Sequence, residues 1–319
     1  MTRPPTAPAI EVDGLGFRYG DRQALDGVTF AVPPGGIFGL LGPNGGGKTT
    51  LFRVLATLLV PAAGTARVFG LDVVREPHEV RRAIGVVFQA SSLDKKLTAA
   101  ENLWHQGHFY GLRGAPLRER IDQALARVGL SDRARDRVET LSGGQQRRIE
   151  LAKGMLHRPA LLLLDEPSTG LDPGGRIDLW QYLLHLRDSE GVTVMLTTHL
   201  LEEAERCDRL GILDQGKLVA EGAPEELKSK IGGDVIVLGT RDPAALARQV
   251  ASRFSLEASV VDGTVRIERE RGHEFISQLV EAFPGQIESV SFSKPTLEDV
   301  FIRQTGHRFW EATAEAPGR

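Results

Sequence analysis

The run Gly42-Pro43-Asn44-Gly45-Gly46-Gly47-Lys48-Thr49-Thr50 has the residue types and spacing that grip phosphate. Closely spaced glycines let several backbone N–H groups turn toward one anion, and a helix starting at the end of the loop would present its positive pole to it. Lys48 would add a mobile positive charge for the outer phosphates, and the Thr49 hydroxyl would ligate the magnesium ion that accompanies them. A second set of chemistry-bearing residues ends the run Leu161-Leu162-Leu163-Leu164-Asp165-Glu166. An unbroken apolar strand is buried on both faces, and its carboxyl end opens on a ligand crevice. There Asp165 would hold the magnesium shell, and Glu166 would polarise the water that attacks a terminal phosphate. Uncompensated acids in such a place are costly, so a metal or water partner is expected.

Other polar groups stand at the ends of apolar runs. Ile84 to Phe88 stops at Gln89, which either reaches the metal and attacking water or faces solvent as a polar strand end. Val192 to Thr197 leads to Thr198-His199, and His199 could hydrogen-bond the terminal phosphate or the water below it. Tyr19, upstream of the glycine loop, could stack on a nucleobase, a contact worth about 1–3 kcal/mol in nucleic-acid systems. Leu141-Ser142-Gly143-Gly144-Gln145 precedes a long helix beginning near Gln146. Ser142 suits a helix N-cap, while Gly143 and Gly144 free backbone N–H groups for a second anion site. A single nucleotide needs only one such site. Pro167 to Pro173, with Asp172 inside it, makes a stiff turn out of the site.

The elements that must hold these groups follow from periodicity. Ile10 to Val32 alternates apolar and polar residues around Asp13-Gly14, Gly20-Asp21 and Asp26-Gly27, which predicts short antiparallel strands. Strand, glycine loop and helix follow over Ile37 to Leu59, and Gly64 to Val73 reads as another hairpin arm. Leu97 to Leu156 turns helical, an inserted helical region, and within it His105 and His108 lack further ligands nearby and read as surface or packing residues. Leu210 to Asp214 and Lys217 to Ala220 read as a strand pair closing the first unit. The segment from about Gly233 to Arg308 predicts strand, helix, hairpin at Asp262-Gly263, helix, strand and a last helix that opens with a capping-box pattern after Pro295. The βαββαβ order suggests a small α+β domain of ferredoxin-like type.

At 319 residues, with 41% hydrophobic and 25% charged residues, the chain can bury the cores of two domains. A formal charge of -3 gives no sign of a general nucleic-acid or anionic-membrane binder. The lone Cys207 excludes an intrachain disulfide and reads as a buried apolar residue of a reducing compartment. Nothing approaches the roughly eighteen consecutive apolar residues of a membrane helix. Residues 1–9, rich in proline, read as a disordered lead-in without a signal peptide, and residues 309–319 as a tail.

Together these segments resemble the nucleotide-binding subunit of ATP-binding cassette (ABC) transporters, over about Ile10 to Lys230. The resemblance makes Gly42 to Thr50 the Walker A loop, Gln89 the Q-loop, Leu141 to Gln145 the signature, Leu161 to Asp165 with Glu166 Walker B, Asp172 part of the D-loop and His199 the switch histidine. It implies an α/β fold of the P-loop NTPase class and ABC ATPase type. In that fold a parallel-sheet core carries an antiparallel β subdomain and a helical subdomain, here followed by the C-terminal domain. The implied domains are 10–230 and 233–308.

It further implies a homodimer in which each ATP, with Mg2+, lies between Walker A of one copy and Ser142 to Gln145 of the other. Glu166 and His199 become the catalytic residues, and Thr49, Gln89 and Asp165 the metal-site residues. Separate integral membrane subunits would dock between the Gln89 segment and the helical region, with the chain peripheral at the cytoplasmic face of the cell membrane. Gly46 stands where the family more often has alanine or serine, a change that removes no phosphate ligand. The ending Pro295-Thr296-Leu297-Glu298-Asp299-Val300-Phe301 and the stretch Leu93 to Thr98 resemble ATPases of ABC-2 type exporters, including the daunorubicin-resistance group. That group implies export of a drug-like, lipid or polysaccharide substrate. A soluble ABC ATPase acting on nucleic acid or ribosomes is the alternative. Against it stand the single cassette, the mild acidity and the lack of a coiled-coil insertion or zinc-type cysteine pairs; no nucleic-acid partner is expected. Glu166 and His199 together argue against a module that binds ATP without turnover.

Overall fold

The computed structural model describes residues 7–309; the expected tail over 310–319 and the expected lead-in over 1–6 lie outside them. Where those expectations reach described residues they are corrected. Ala9 is fully buried, donates to the Val32 carbonyl at 2.8 Å and accepts from the Phe69 N–H at 3.0 Å. Phe309 is fully buried against Phe301, with ring centroids 5.0 Å apart. Each offers an apolar side chain to a core, which outweighs the polar or proline-rich character of its neighbours.

Strands β1 (Ile10–Tyr19) and β2 (Arg22–Val32) pair antiparallel across the Gly20-Asp21 turn. Of the three turn signals expected here, only this one reverses the chain. Gly14 and Gly27, both at left-handed φ, fall where the β1–β2 register shifts, so the strands run long with bulges instead of being short. Strand β3 (Ile37–Leu41), buried throughout, runs into the glycine loop and α1 (Lys48–Leu55). Strands β4 (Ala63–Val68) and β5 (Leu71–Asp72) complete a sheet in the order β2-β1-β4-β5.

Helix α2 (Pro77–Ala83) leads into β6 (Ile84–Val87). The helical block follows as α3 (Ala99–Phe109), α4 (Gly114–Arg127) and α5 (Gly143–Met155), packed around Leu103, Leu117, Leu125 and Ile149. Helix α5 begins at Gly143, earlier than the expected start near Gln146. Ser142 and Gln145 form a reciprocal capping box that draws both glycines into the first turn.

Strand β7 (Leu161–Asp165), α6 (Pro173–Glu190), β8 (Thr193–Thr198), α7 (Leu201–Ala204), β9 (Arg209–Asp214) and β10 (Lys217–Gly222) finish the central sheet, ordered β10-β9-β3-β8-β7-β6. Pairing is parallel from β9 to β6, and β10 is antiparallel to β9. The β9–β10 pair therefore extends the central sheet beside β3. Cys207 is buried among the apolar residues of this layer, and burial pushes its thiol up.

After α8 (Pro224–Ser229) come β11 (Asp234–Gly239), α9 (Pro243–Phe254), β12 (Ala258–Val261), β13 (Thr264–Arg269), α10 (Gly272–Ala282) and β14 (Ser289–Ser293). Their antiparallel order, β12-β13-β11-β14, is the ferredoxin-like split βαβ arrangement. Helices α9 and α10 bury Leu246, Val250, Phe275 and Leu279 against Ile236, Leu238, Val265 and Ile267 on one sheet face. Helix α11 (Leu297–Thr305), capped by Thr296 and Asp299, packs elsewhere. Its Leu297, Val300 and Phe301 share a core with Leu41, Ile212, Leu227 and Val235, so it joins the accessory sheet to the central one. Phe301→Ala should accordingly cost about 3–5 kcal/mol of stability, read from urea unfolding. A loss of no more than about 0.5 kcal/mol, the size of a surface substitution, would show that α11 is not part of this core.

Candidate functional site

Parallel pairing sets Leu41 beside Thr198 and Thr197 beside Asp165, so β3, β8 and β7 all end at one edge of the central sheet. Around these ends lies a cleft of about 520 Å³. Of the residues singled out from sequence, Tyr19, Asn44, Gly45, Gly47, Lys48, Thr49, Thr50, Gln89, Glu166 and His199 line it. Gly42, Pro43 and Gly46 shape the loop. A Cβ on Gly42 would lie 2.2 Å from the Leu213 carbonyl oxygen, and Gly47 sits at φ 105°, so neither position admits a side chain without distortion. Gly46 is less confined: its nearest neighbours would be the Pro43 and Leu213 oxygens, at 3.1 and 3.2 Å from a Cβ.

Asp165 and Glu166 are both buried. The Lys48 ammonium donates to the Gly42 and Pro43 carbonyls at 2.8 and 3.0 Å and lies 3.8 Å from Glu166 Oε1. Burial lowers the Lys48 pKa, with Glu166 and Asp165 opposing it; burial raises that of Asp165, with the Thr197 hydrogen bond opposing. Glu166 has a left-handed backbone at φ 45°. His199 Nδ1 is 3.2 Å from Glu166 Oε1, and the Gln89 amide donates to Oε2 at 3.2 Å. Gln89 thus engages the catalytic carboxylate candidate instead of turning fully to solvent. Tyr19 is half exposed and meets Phe17 edge-on at 4.9 Å.

Ser142, Gly143, Gly144, Gln145 and Asp172 do not line this cleft. Ser142 accepts from the Gln145 N–H and Asp172 caps α6 through the Gly175 N–H, at 3.3 and 2.8 Å. A Cβ on Gly143 or Gly144 would meet nothing within 4 Å, so the start of α5 is open to an approaching group. His105 and His108 pack on Trp104, with ring centroids 4.9 and 3.9 Å away.

Sequence reasoning missed four participants, one of them Thr169, which lines the cleft and donates its hydroxyl to Glu166 Oε2 at 3.3 Å. The Thr197 hydroxyl donates to Asp165 Oδ1 at 2.6 Å and accepts from the Glu166 N–H at 3.0 Å, which fixes both acids from the neighbouring strand. Arg147 donates to the Phe88 and Pro167 carbonyls at 2.7 and 2.8 Å, tying α5 to the ends of β6 and β7. Arg22 lines the cleft and reaches the Gly45 carbonyl at 3.3 Å. Only strand register could have revealed Thr197, because nothing local to it marks a polar role.

The donor set fits a hard cation. The Thr49 hydroxyl lies 3.5 Å from Asp165 Oδ1, and no cluster of three His, Cys, Asp or Glu side chains exists among the described residues. One carboxylate with one hydroxyl is too sparse for zinc but suits Mg2+, which keeps waters and shares substrate phosphates. A cation there would also relieve the buried Asp165 charge.

Comparison with known proteins agrees with this geometry. Residues 25–169 match the ABC transporter family and residues 222–305 the family described as ATP-binding protein DrrA1-3-like, C-terminal domain. Daunorubicin resistance ATP-binding protein DrrA3 of Streptomyces coeruleorubidus is 42% identical over 316 residues, 93% of this chain and 96% of that protein. Nod factor export ATP-binding protein I of Paraburkholderia xenovorans is 40% identical over 304 residues, 93% and 97% of the two chains. Among solved structures, a dimeric ATP-binding cassette in a post-hydrolysis state bound to ADP and Pi superposes with TM-score 0.61 at 28% identity, covering 67% of this chain and 98% of that one. With ATP as substrate, Thr197→Val should lower turnover about 10- to 100-fold, the range for residues that orient a metal ligand, while Thr197→Ser retains it. Equal turnover by the valine and serine variants would remove Thr197 from the site.

Proposed function

The chain belongs to the ATP-binding proteins of ABC transporters, and from that premise we propose that two copies hold ATP between the Gly42–Thr50 loop of one and the Ser142–Gln145 segment of the other. The observation that carries this reading is the separation of two anion-binding elements on one chain, the cleft and the open start of α5. A twofold arrangement brings each to the other's counterpart. The dimeric cassette with ADP and Pi supports it. Residues 10–230 act as the nucleotide-binding unit and 233–308 as an accessory unit.

In this reading the loop N–H groups and Lys48 hold the phosphates, and Tyr19 stacks on the base. Thr49 and Asp165, with Gln89 as the third residue of the set, would hold Mg2+, which would supply charge neutralisation at the phosphate oxygens. Glu166 takes a proton from water as the water oxygen bonds to the terminal phosphorus and the bridging P–O bond to ADP breaks. His199, 3.2 Å from Glu166, orients that carboxylate and the water. Thr197 holds the Asp165–Glu166 peptide in place.

The work of the cycle goes to separate membrane subunits, a reading supported by relatives named as resistance and export ATP-binding proteins; no helix of the described residues is long and apolar enough to cross a bilayer. Phe109 and Trp104 on α3 are exposed rings that suit a protein partner on the helical region. The chain would then lie at the cytoplasmic face of the membrane. Relatives named for daunorubicin resistance and Nod factor export support export of a drug-like, lipid or polysaccharide cargo.

Glu166→Gln should cut hydrolysis about 10²- to 10⁴-fold and accumulate an ATP-bound dimer on size exclusion, whereas Lys48→Ala should lose ATP binding. Undiminished hydrolysis by the glutamine variant would remove the assigned base. Purification of the tagged chain from membranes should recover an integral membrane protein, with less recovered when Phe109 and Trp104 are both changed to Ser. Recovery of ribosomes or nucleic acid in its place would overturn the partner assignment.

A further inference from the structure

Among the described residues, the accessory unit makes a polar contact with the nucleotide loop's support through His307 and Asp214. Asp214 ends β9, and its buried side chain accepts from His307 Nε2 at 3.2 Å, while Oδ1 has no hydrogen-bond partner among the described residues. The next two residues, Gln215 at φ 46° and Gly216 at φ 79°, make the tight β9–β10 turn, whose left-handed backbone matches a two-residue hairpin. That turn is wedged between the β2 strand and the glycine loop. The Gly216 N–H donates to the Gly46 carbonyl at 2.9 Å, and the Gly216 carbonyl accepts from the Asp26 N–H at 2.9 Å. Just before it, the Leu213 carbonyl presses on Gly42.

His307 is itself held firmly. It follows the left-handed Gly306 cap of α11, its ring stands edge-on to Phe301 at 5.2 Å, and its Nδ1 lies 3.1 Å from the Arg308 carbonyl. Phe301 is fixed in the core shared with Leu41 and Ile212. A buried carboxylate with a single partner cannot lose that partner without either moving toward water or remaining unpaired at a cost. Movement of Asp214 would drag the turn that seats Gly46.

We propose that His307, at the end of the last helix, is a positioning residue for the nucleotide. Through Asp214 it fixes the Gln215–Gly216 turn against the phosphate loop, so docking of the accessory unit sets the ATP affinity of the cassette. The inference rests on the reading that Gly42 to Thr50 holds ATP.

The test uses the full-length chain, with ATP dissociation constants from calorimetry and steady-state hydrolysis at fixed Mg2+. His307→Ala should weaken ATP binding by roughly 2- to 30-fold, the span seen for substitutions that alter coupling between distant sites, and raise KM more than it lowers kcat. His307→Gln, whose amide can donate to Asp214 as Nε2 does, should restore affinity. His307→Asn is too short to reach and should behave as alanine, which keeps the test open should alanine fail to fold. Combining His307→Ala with Asp214→Asn should weaken binding no more than the worse single change. Arg303→Ala removes α11 contacts to the Lys230 carbonyl and Glu268 without touching the pair, so it should lower stability and leave ATP affinity unchanged. Unchanged affinity in His307→Ala and His307→Asn, with Lys48→Ala still abolishing binding, would overturn the latch alone. Unchanged affinity in Lys48→Ala would overturn the site reading beneath it.

Discussion

Two adjacent, largely buried carboxylates at the end of an apolar strand must find most of their partners inside the protein. Asp165 and Glu166 are 3% and 8% exposed, and an unpaired charge so placed costs several kcal/mol. Their partners come from separate stretches: Lys48 and Thr49 from the loop and α1, Gln89 beyond β6, Thr197 and His199 from β8 and its end. The β3-β8-β7-β6 order brings those stretches to one edge of the sheet. Glu166 also pays about 1–3 kcal/mol for its left-handed backbone, and the Thr197 hydroxyl holds it there. The central sheet is therefore a device for compensating charge as much as a scaffold.

Much of this was legible because the glycine loop and the Leu161–Glu166 run state their chemistry locally. Glycine-rich turns between a strand and a helix are common, but the full G-x-x-x-x-G-K-[ST] spacing there is rarer, and two acids ending an apolar strand demand a partner. What local pattern could not supply was register. Thr197 looks like any β-branched strand residue until β7 and β8 pair with Asp165 opposite it. Gly14 and Gly27 resemble turn glycines, yet a bulge needs the same left-handed backbone as a turn. The start of α5 was misplaced because glycines weaken helix propensity, while the capping box of Ser142 and Gln145 outweighs them. His307 and Asp214, 93 residues apart, meet only through the docking of α11.

The placement of Ser142 resolves a tension in its two readings. It caps its helix, as a serine before a helix ordinarily does, and the same cap holds the first turn in the geometry that leaves the glycine N–H groups unobstructed. Capping and anion binding draw on different donors: the serine hydroxyl takes the Gln145 N–H and leaves the earlier ones available. In the proposed sandwich the second copy supplies nothing that one chain lacks in kind, only in position. Self-complementarity under a twofold axis then follows from the distance between the two elements, without any further specificity device.

The accessory unit has its own core in the α9 and α10 layer, so it does not need the cassette to bury those two helices. Helix α11 nevertheless places Phe301 against Leu41 and Ile212, residues of the strands that end at the phosphate loop and its supporting turn. Apolar docking fixes where α11 lies, but it is indifferent to small sliding; a hydrogen bond to a buried carboxylate is not. One bond involving a charged group contributes about 1.5–3 kcal/mol. Driving a two-state equilibrium from one extreme to the other takes about 5.5 kcal/mol. The His307–Asp214 contact is thus sized to tune the loop's hold on its nucleotide and too small to switch it.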